Sequence, residues 1–151
     1  MAAQEFQPAI VILIFVIPVE LLMTWLFLSQ AGDNPMRLLS FAGMSTACVL
    51  VSVLFYGMTT TIEDNVLRIS YGIGVIRKTI MLSEVKTVHV VTTPWYHGWG
   101  IRVIPNGMLY NIRGLLGVEL SFRDKPRIIR IGSGRAQALQ KAIEEVLHRR
   151  R

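Results

Sequence analysis

A single cysteine, Cys48, is the whole thiol complement of the 151-residue chain. That excludes an internal disulfide and any metal site built from several thiolates. The histidines His89, His97 and His148 share no ligand spacing and have no carboxylate cluster beside them, so zinc chemistry lacks a scaffold. No serine or cysteine sits in a recognisable nucleophile elbow. Gly72-Ile-Gly74 is too short for a dinucleotide fingerprint and no helix follows it, so it reads as a turn between strands. Internal repeats and low-complexity segments are absent. The expected catalytic, metal-binding and cofactor-binding residues are therefore none, and the chain is not expected to be an enzyme. Lysine and arginine are missing altogether from the first 36 residues.

What is present begins with two long apolar runs, 9–28 and 38–58, of 20 and 21 residues, with Glu20 their only charge. At about 1.5 Å rise per residue, each helix would be about 30 Å long, the thickness of a bilayer's hydrocarbon core. The reading is a transmembrane hairpin over 1–58, its first helix starting near Pro8 and kinked at Pro18. Gly43, Ser45, Ala47 and Ser52 let the backbones pack closely. A cleaved signal peptide is the rival reading, with small residues at Ser29-Gln30-Ala31. The N-terminus lacks a positive region, however, and the apolar run exceeds the usual length.

Charge divides unevenly along the chain. Residues 1–58 hold Arg37 against Glu5, Glu20 and Asp33, whereas residues 59–151 hold 15 Lys/Arg against 7 Asp/Glu. The basic part is expected in the cytoplasm, which returns both termini to that side and leaves 29–35 as a short outer turn. Anionic inner-leaflet lipid or an acidic partner suits such a domain. Nucleic acid is not an expected partner, because the tether restricts access. Arg149–Arg151 is a solvated terminal run that also suits the inner leaflet.

After Met58 the apolar period becomes two. Strands are predicted over Val66–Tyr71, Val75–Leu82, Val85–Thr92, Ile101–Ile104, Met108–Ile112, Gly117–Phe122 and Arg127–Ile131. Pro105-Asn-Gly107 reads as a hairpin turn with positive φ supplied by Asn and Gly, and Arg123–Pro126 as another. A closing amphipathic helix over about 134–148 follows, with Ser133 as its cap and Ala136, Leu139, Ala142, Ile143, Val146 and Leu147 on one face. Residues 59–151, about 93 in all, suffice for one small antiparallel barrel or sandwich plugged by that helix.

Several segments carry a resemblance. Ser70–Lys78 (SYGIGVIRK), Trp95–Arg102 (WYHGWGIR), Tyr110–Gly114, Val118–Leu120, Arg130–Gly132 and the terminal helix are similar to the bacterial pleckstrin-homology-like domain family. The resemblance covers roughly Thr59–Leu147, and Gly-Trp-Gly-Ile-Arg is its most specific part. It implies a membrane protein with a pleckstrin-homology-like split barrel, no enzymatic activity and no established ligand. It also implies the bacterial inner membrane as location.

Three groups of candidate contact residues follow. Glu20 would cost about 2.5–3.5 kcal/mol as a bare charge in hydrocarbon, so it is expected neutral, paired or facing protein. Counting from the outer turn puts it level with Ser45 and Thr46, either of which could hold its carboxyl; contact with another subunit and proton conduction are the alternatives. Trp95, Tyr96, His97 and Trp99 crowd one loop before Arg102. They serve either as a barrel plug with loop support or as contacts to membrane or partner, with Trp95 and Tyr96 the better contact candidates. Arg77 and Lys78 follow the first evident turn and suit an anionic surface; a solvated strand end is their ordinary reading.

The expected function is a non-catalytic, membrane-anchored binding or scaffold component. Alternatives are an accessory subunit of a larger membrane complex, energy-transducing or otherwise, and an anionic-lipid surface sensor. Other integral membrane subunits are the expected partners, and a homo-oligomer is compatible with the same features.

Overall fold

A computed structural model describes residues 3–29, 38–94, 100–124 and 126–149. Two helices, α1 (Ile10–Ser29) and α2 (Leu38–Phe55), form an antiparallel pair, and neither has a buried residue. Both are long and apolar enough to cross a membrane. Pro18 lies inside α1, and the stacked rings of Phe27 and Phe41, centroids 4.5 Å apart, join the helices near their far ends.

The rest is mostly β and ends in a helix. One sheet runs β1 (Ala3–Pro8), β2 (Gly57–Glu63), β3 (Val66–Tyr71), β4 (Ile76–Met81), every neighbour antiparallel. A 3-10 turn over Leu82–Glu84 leads to the second sheet. Its strands are β5 (Val85–Thr92), β6 (Gly100–Ile104), β7 (Gly107–Asn111), β8 (Leu116–Phe122) and β9 (Ile128–Gly132), in the spatial order β5-β8-β9-β7-β6. Only the β7–β9 pair is parallel among these. Gly107 is needed there, since a Cβ would fall 1.8 Å from the Ile128 carbonyl oxygen.

Alternation builds one core between the sheets. Met58 and Ile62 of β2, Leu67, Ile69 and Tyr71 of β3, Val118 and Leu120 of β8 and Ile131 of β9 are buried in a single cluster. The last helix, α3 (Ala136–His148), covers it from the side of β5 and β8 with Ala136, Leu139 and Ile143. Burying such side chains contributes about 1.5–3 kcal/mol each.

Four features differ from the sequence reading. Residues 3–8 are a strand, not hairpin flank, so the β domain is discontinuous and the helical hairpin is an insertion between β1 and β2. The register sets Glu5 opposite Thr60 and Gln7 opposite Met58. Opposite residues share a face, so β1 turns polar side chains inward and hides its strand signal. Gly57 and Met58 belong to β2 rather than to the second helix, and α1 starts at Ile10. Ser133 does not cap α3: Arg135 holds that position, and the Ser133 hydroxyl donates to Glu5 Oε2 at 2.6 Å while accepting from the Arg135 N–H at 3.0 Å. In the β6–β7 turn, Asn106 has φ of 64° and Gly107 does not share the left-handed conformation.

The junction of hairpin and domain has no linker. The β1–β2 ladder runs up to Pro8 opposite Gly57, and the next bond is already at the helix bases, Ala9 N–H to the Tyr56 carbonyl at 2.8 Å. Ala9 is fully buried. Phe6 lies 6.1 Å from Tyr56, and Phe55 meets Tyr71 edge-on at 6.0 Å. Gly72, with φ of 52°, donates its N–H to the Gly57 carbonyl. A Cβ on it would lie 2.3 Å from the Leu54 carbonyl oxygen, so only glycine lets the β3–β4 turn pack against the end of α2.

Candidate functional site

Within the helical pair the only charged side chain of the described segments meets a hydroxyl. Glu20 is the eleventh residue of α1, close to its middle, and Ser45 Oγ donates to its Oε2 at 3.1 Å. Successive residues of a helix point about 100° apart, so Thr46 cannot share that contact, and it is exposed. Cys48, three residues beyond Ser45, faces the same carboxyl.

The junction gathers a second set of residues. A groove of about 500 Å³ lies between the helix bases and the second sheet, lined by Val11, Ile12 and Phe15 of α1, Phe55 of α2, and Ile101, Arg102 and Ile112. Arg102 is exposed on β6 at its rim. Trp95, Tyr96, His97 and Trp99 lie outside the described residues; the chain on either side of them, Pro94 and Gly100, belongs to the helix-side end of the second sheet.

Arg77 and Lys78 are both exposed but do not form one patch. Strand alternation turns them to opposite faces of β4. Arg77 bends back on the preceding turn, its Nε donating to the Gly74 carbonyl. On that outer face it joins Arg68, Ser70, Thr61 and Thr79 around a polar depression of about 580 Å³. Period-two alternation in β3 places Arg68 and Ser70 on this face, and β2, a strand the sequence reading does not contain, supplies Thr61.

Polar groups inside the domain have structural work. Gln7 Nε2 donates to the Gly132 carbonyl at 2.9 Å, and Glu5 Oε1 accepts from the Gly134 N–H at 3.0 Å. These bonds tie β1 to the β9–α3 connection. The Tyr71 hydroxyl donates to the Asn111 carbonyl at 3.4 Å, and burial, with the nearby Tyr110 adding, pushes it well above its ordinary value. Burial also raises Tyr110. Glu119 and Arg130, opposite each other on β8 and β9, pair at 2.6 Å. Among the described residues no group of three or more His, Cys, Asp or Glu is placed to hold a metal ion.

Comparison with protein-family models, with curated proteins and with solved structures finds no match for the chain.

Proposed function

We propose that this chain is a non-catalytic, membrane-anchored protein with a pleckstrin-homology-like barrel, in which α1 and α2 span the bacterial inner membrane and the β domain binds a membrane protein partner at the cytoplasmic surface. One observation carries the reading: strand passes into helix and helix into strand at residues 9 and 56, with the two junctions hydrogen-bonded together. A domain mounted this way does not swing on a tether. It stands at fixed height and orientation over the bilayer, which raises its effective concentration toward any membrane neighbour and removes an ordering cost on binding. The basic excess after residue 58 favours the cytoplasmic side. The two-sheet domain closed by α3 suits a split barrel.

Permanent residence in a larger membrane complex is the second reading. Its specific support is the exposed face of α2 bearing Gly43 and Ala47, one turn apart, where another helix backbone could approach closely. Cross-linking in native membranes followed by purification in mild detergent tests both. The binding reading expects an integral membrane protein cross-linked to the β domain; permanent residence expects stoichiometric co-purification without cross-linker. A chain recovered alone, without cross-links, would refute both.

A further inference from the structure

The turns of the β domain differ in their carboxylates along the hairpin axis. On the helix side stand the β3–β4 turn, packed on the last carbonyls of α2, and the β7–β8 connection, whose Ile112 lines the junction groove. Thr93 is bonded there too, its N–H to the Leu115 carbonyl at 2.6 Å. The stretches 6–12, 53–57, 71–78, 93–94, 100–102 and 112–116 that form this end contain no Asp or Glu, and they contain Arg77, Lys78, Arg102 and Arg113. Glu5, further along β1, has its carboxylate committed to Ser133 and Gly134. The carboxylates stand at the opposite turns, Glu63 at the end of β2 with Asp64 after it, Glu84 in the 3-10 turn and Asp124 between β8 and β9. Lys86, Arg123, Lys125 and Arg127 accompany them in the sequence, so that end carries both signs.

The same end exposes large apolar side chains at loop tips. Ile73 is 63% and Val75 67% exposed, and Leu115 and Leu116 are 45% and 50% exposed. Apolar tips on tight turns are costly in water and suit the boundary between headgroups and acyl chains, with cations just outside at the phosphates.

We propose that this end of the domain is a lipid-contacting surface, in which Ile73, Val75, Leu115 and Leu116 enter the interface of an anionic bilayer while Arg77 and Arg113 meet lipid phosphates. The inference rests on the spanning assignment of α1 and α2, on whose last carbonyls the β3–β4 turn packs. The absence of carboxylates from this end favours anionic lipid as the occupant over a protein of mixed charge. It makes the domain a body seated on the bilayer rather than held above it.

The full chain, in a Cys48→Ala background, is reconstituted into vesicles of equimolar phosphatidylglycerol and phosphatidylethanolamine. Single cysteines at Ile73, Leu115, Asp64, Asp124 and Leu22 carry an environment-sensitive fluorophore. Labels at Ile73 and Leu115 are expected to shift to the blue and to be quenched several-fold more by a headgroup-region nitroxide lipid than those at Asp64 and Asp124. Charge reversal in Arg113→Glu is expected to reduce the quenching at Leu115. Water-like emission at Ile73 and Leu115, with the Leu22 label quenched by a deep nitroxide, would overturn the seated surface and leave the spanning assignment standing. Water-like emission at Leu22 as well would overturn both. Quenching at Ile73 and Leu115 that appears only in native membranes would also overturn the proposal, in favour of a protein occupant.

Discussion

Glu20 is held by one hydroxyl, at 3.1 Å from Ser45, and a neutral carboxyl and an amide can both accept that bond. Glu20→Gln is therefore expected to leave insertion and helix pairing unchanged, with a stability change under about 1 kcal/mol in detergent melting. Complete loss of a co-purifying partner in that variant would instead mark a charged contact between subunits. Tyr71 sets a pH limit. Its folded-state value is raised, so the folded protein holds the phenol proton more tightly than the unfolded chain does. Stability from this group is full below the ordinary value of 10.0 and declines as pH rises past it. Melting temperatures measured from pH 8 to pH 11 should fall most steeply above about 10, and Tyr71→Phe should flatten that limb at a cost near 1 kcal/mol. Gly72→Ala meets both a left-handed backbone and a carbonyl wall. It should lower stability by at least about 2 kcal/mol, read as a lower midpoint of thermal unfolding.

Strand β1 shows what a sequence hides at the level of elements. Its inward residues, Glu5 and Gln7, are polar because they bond across to Gly132, Ser133 and Gly134 rather than pack. No apolar alternation marks them, and the long apolar run that follows Pro8 draws the eye past them. β2 is hidden for a related reason, since Gly57 and Met58 continue the second apolar run and a row of threonines follows. From β3 to β9 the period-two pattern and the turn residues were legible to within about a residue, because each strand has one face in the core. The candidate site was less legible. Nothing local in Arg77-Lys78 separates two residues on opposite faces from a patch, and Ile73, Val75, Leu115 and Leu116 join the same end only through the fold. Removing the Glu5 carboxylate by Glu5→Ala cuts two bonds between β1 and the start of α3, at a cost of about 1.5–3 kcal/mol. Hydrogen exchange should then quicken in β1 and at residues 133–135 before it changes in β8.

Taken as a whole molecule, a β domain is built around the base of an apolar helical pair, with its basic, apolar-tipped end on the helix side and turns of mixed charge away from it. The proposed function depends on that hairpin lying in the bilayer while the domain stands on the cytoplasmic side. Protease protection measures this most directly, applied to carbonate-washed inverted vesicles and to intact spheroplasts with a tag after Arg151. The account predicts that the protein stays with the washed membranes, that protease destroys the tag in inverted vesicles, and that spheroplasts keep it whole. Release into the carbonate supernatant, or loss of the tag from intact spheroplasts, would contradict it.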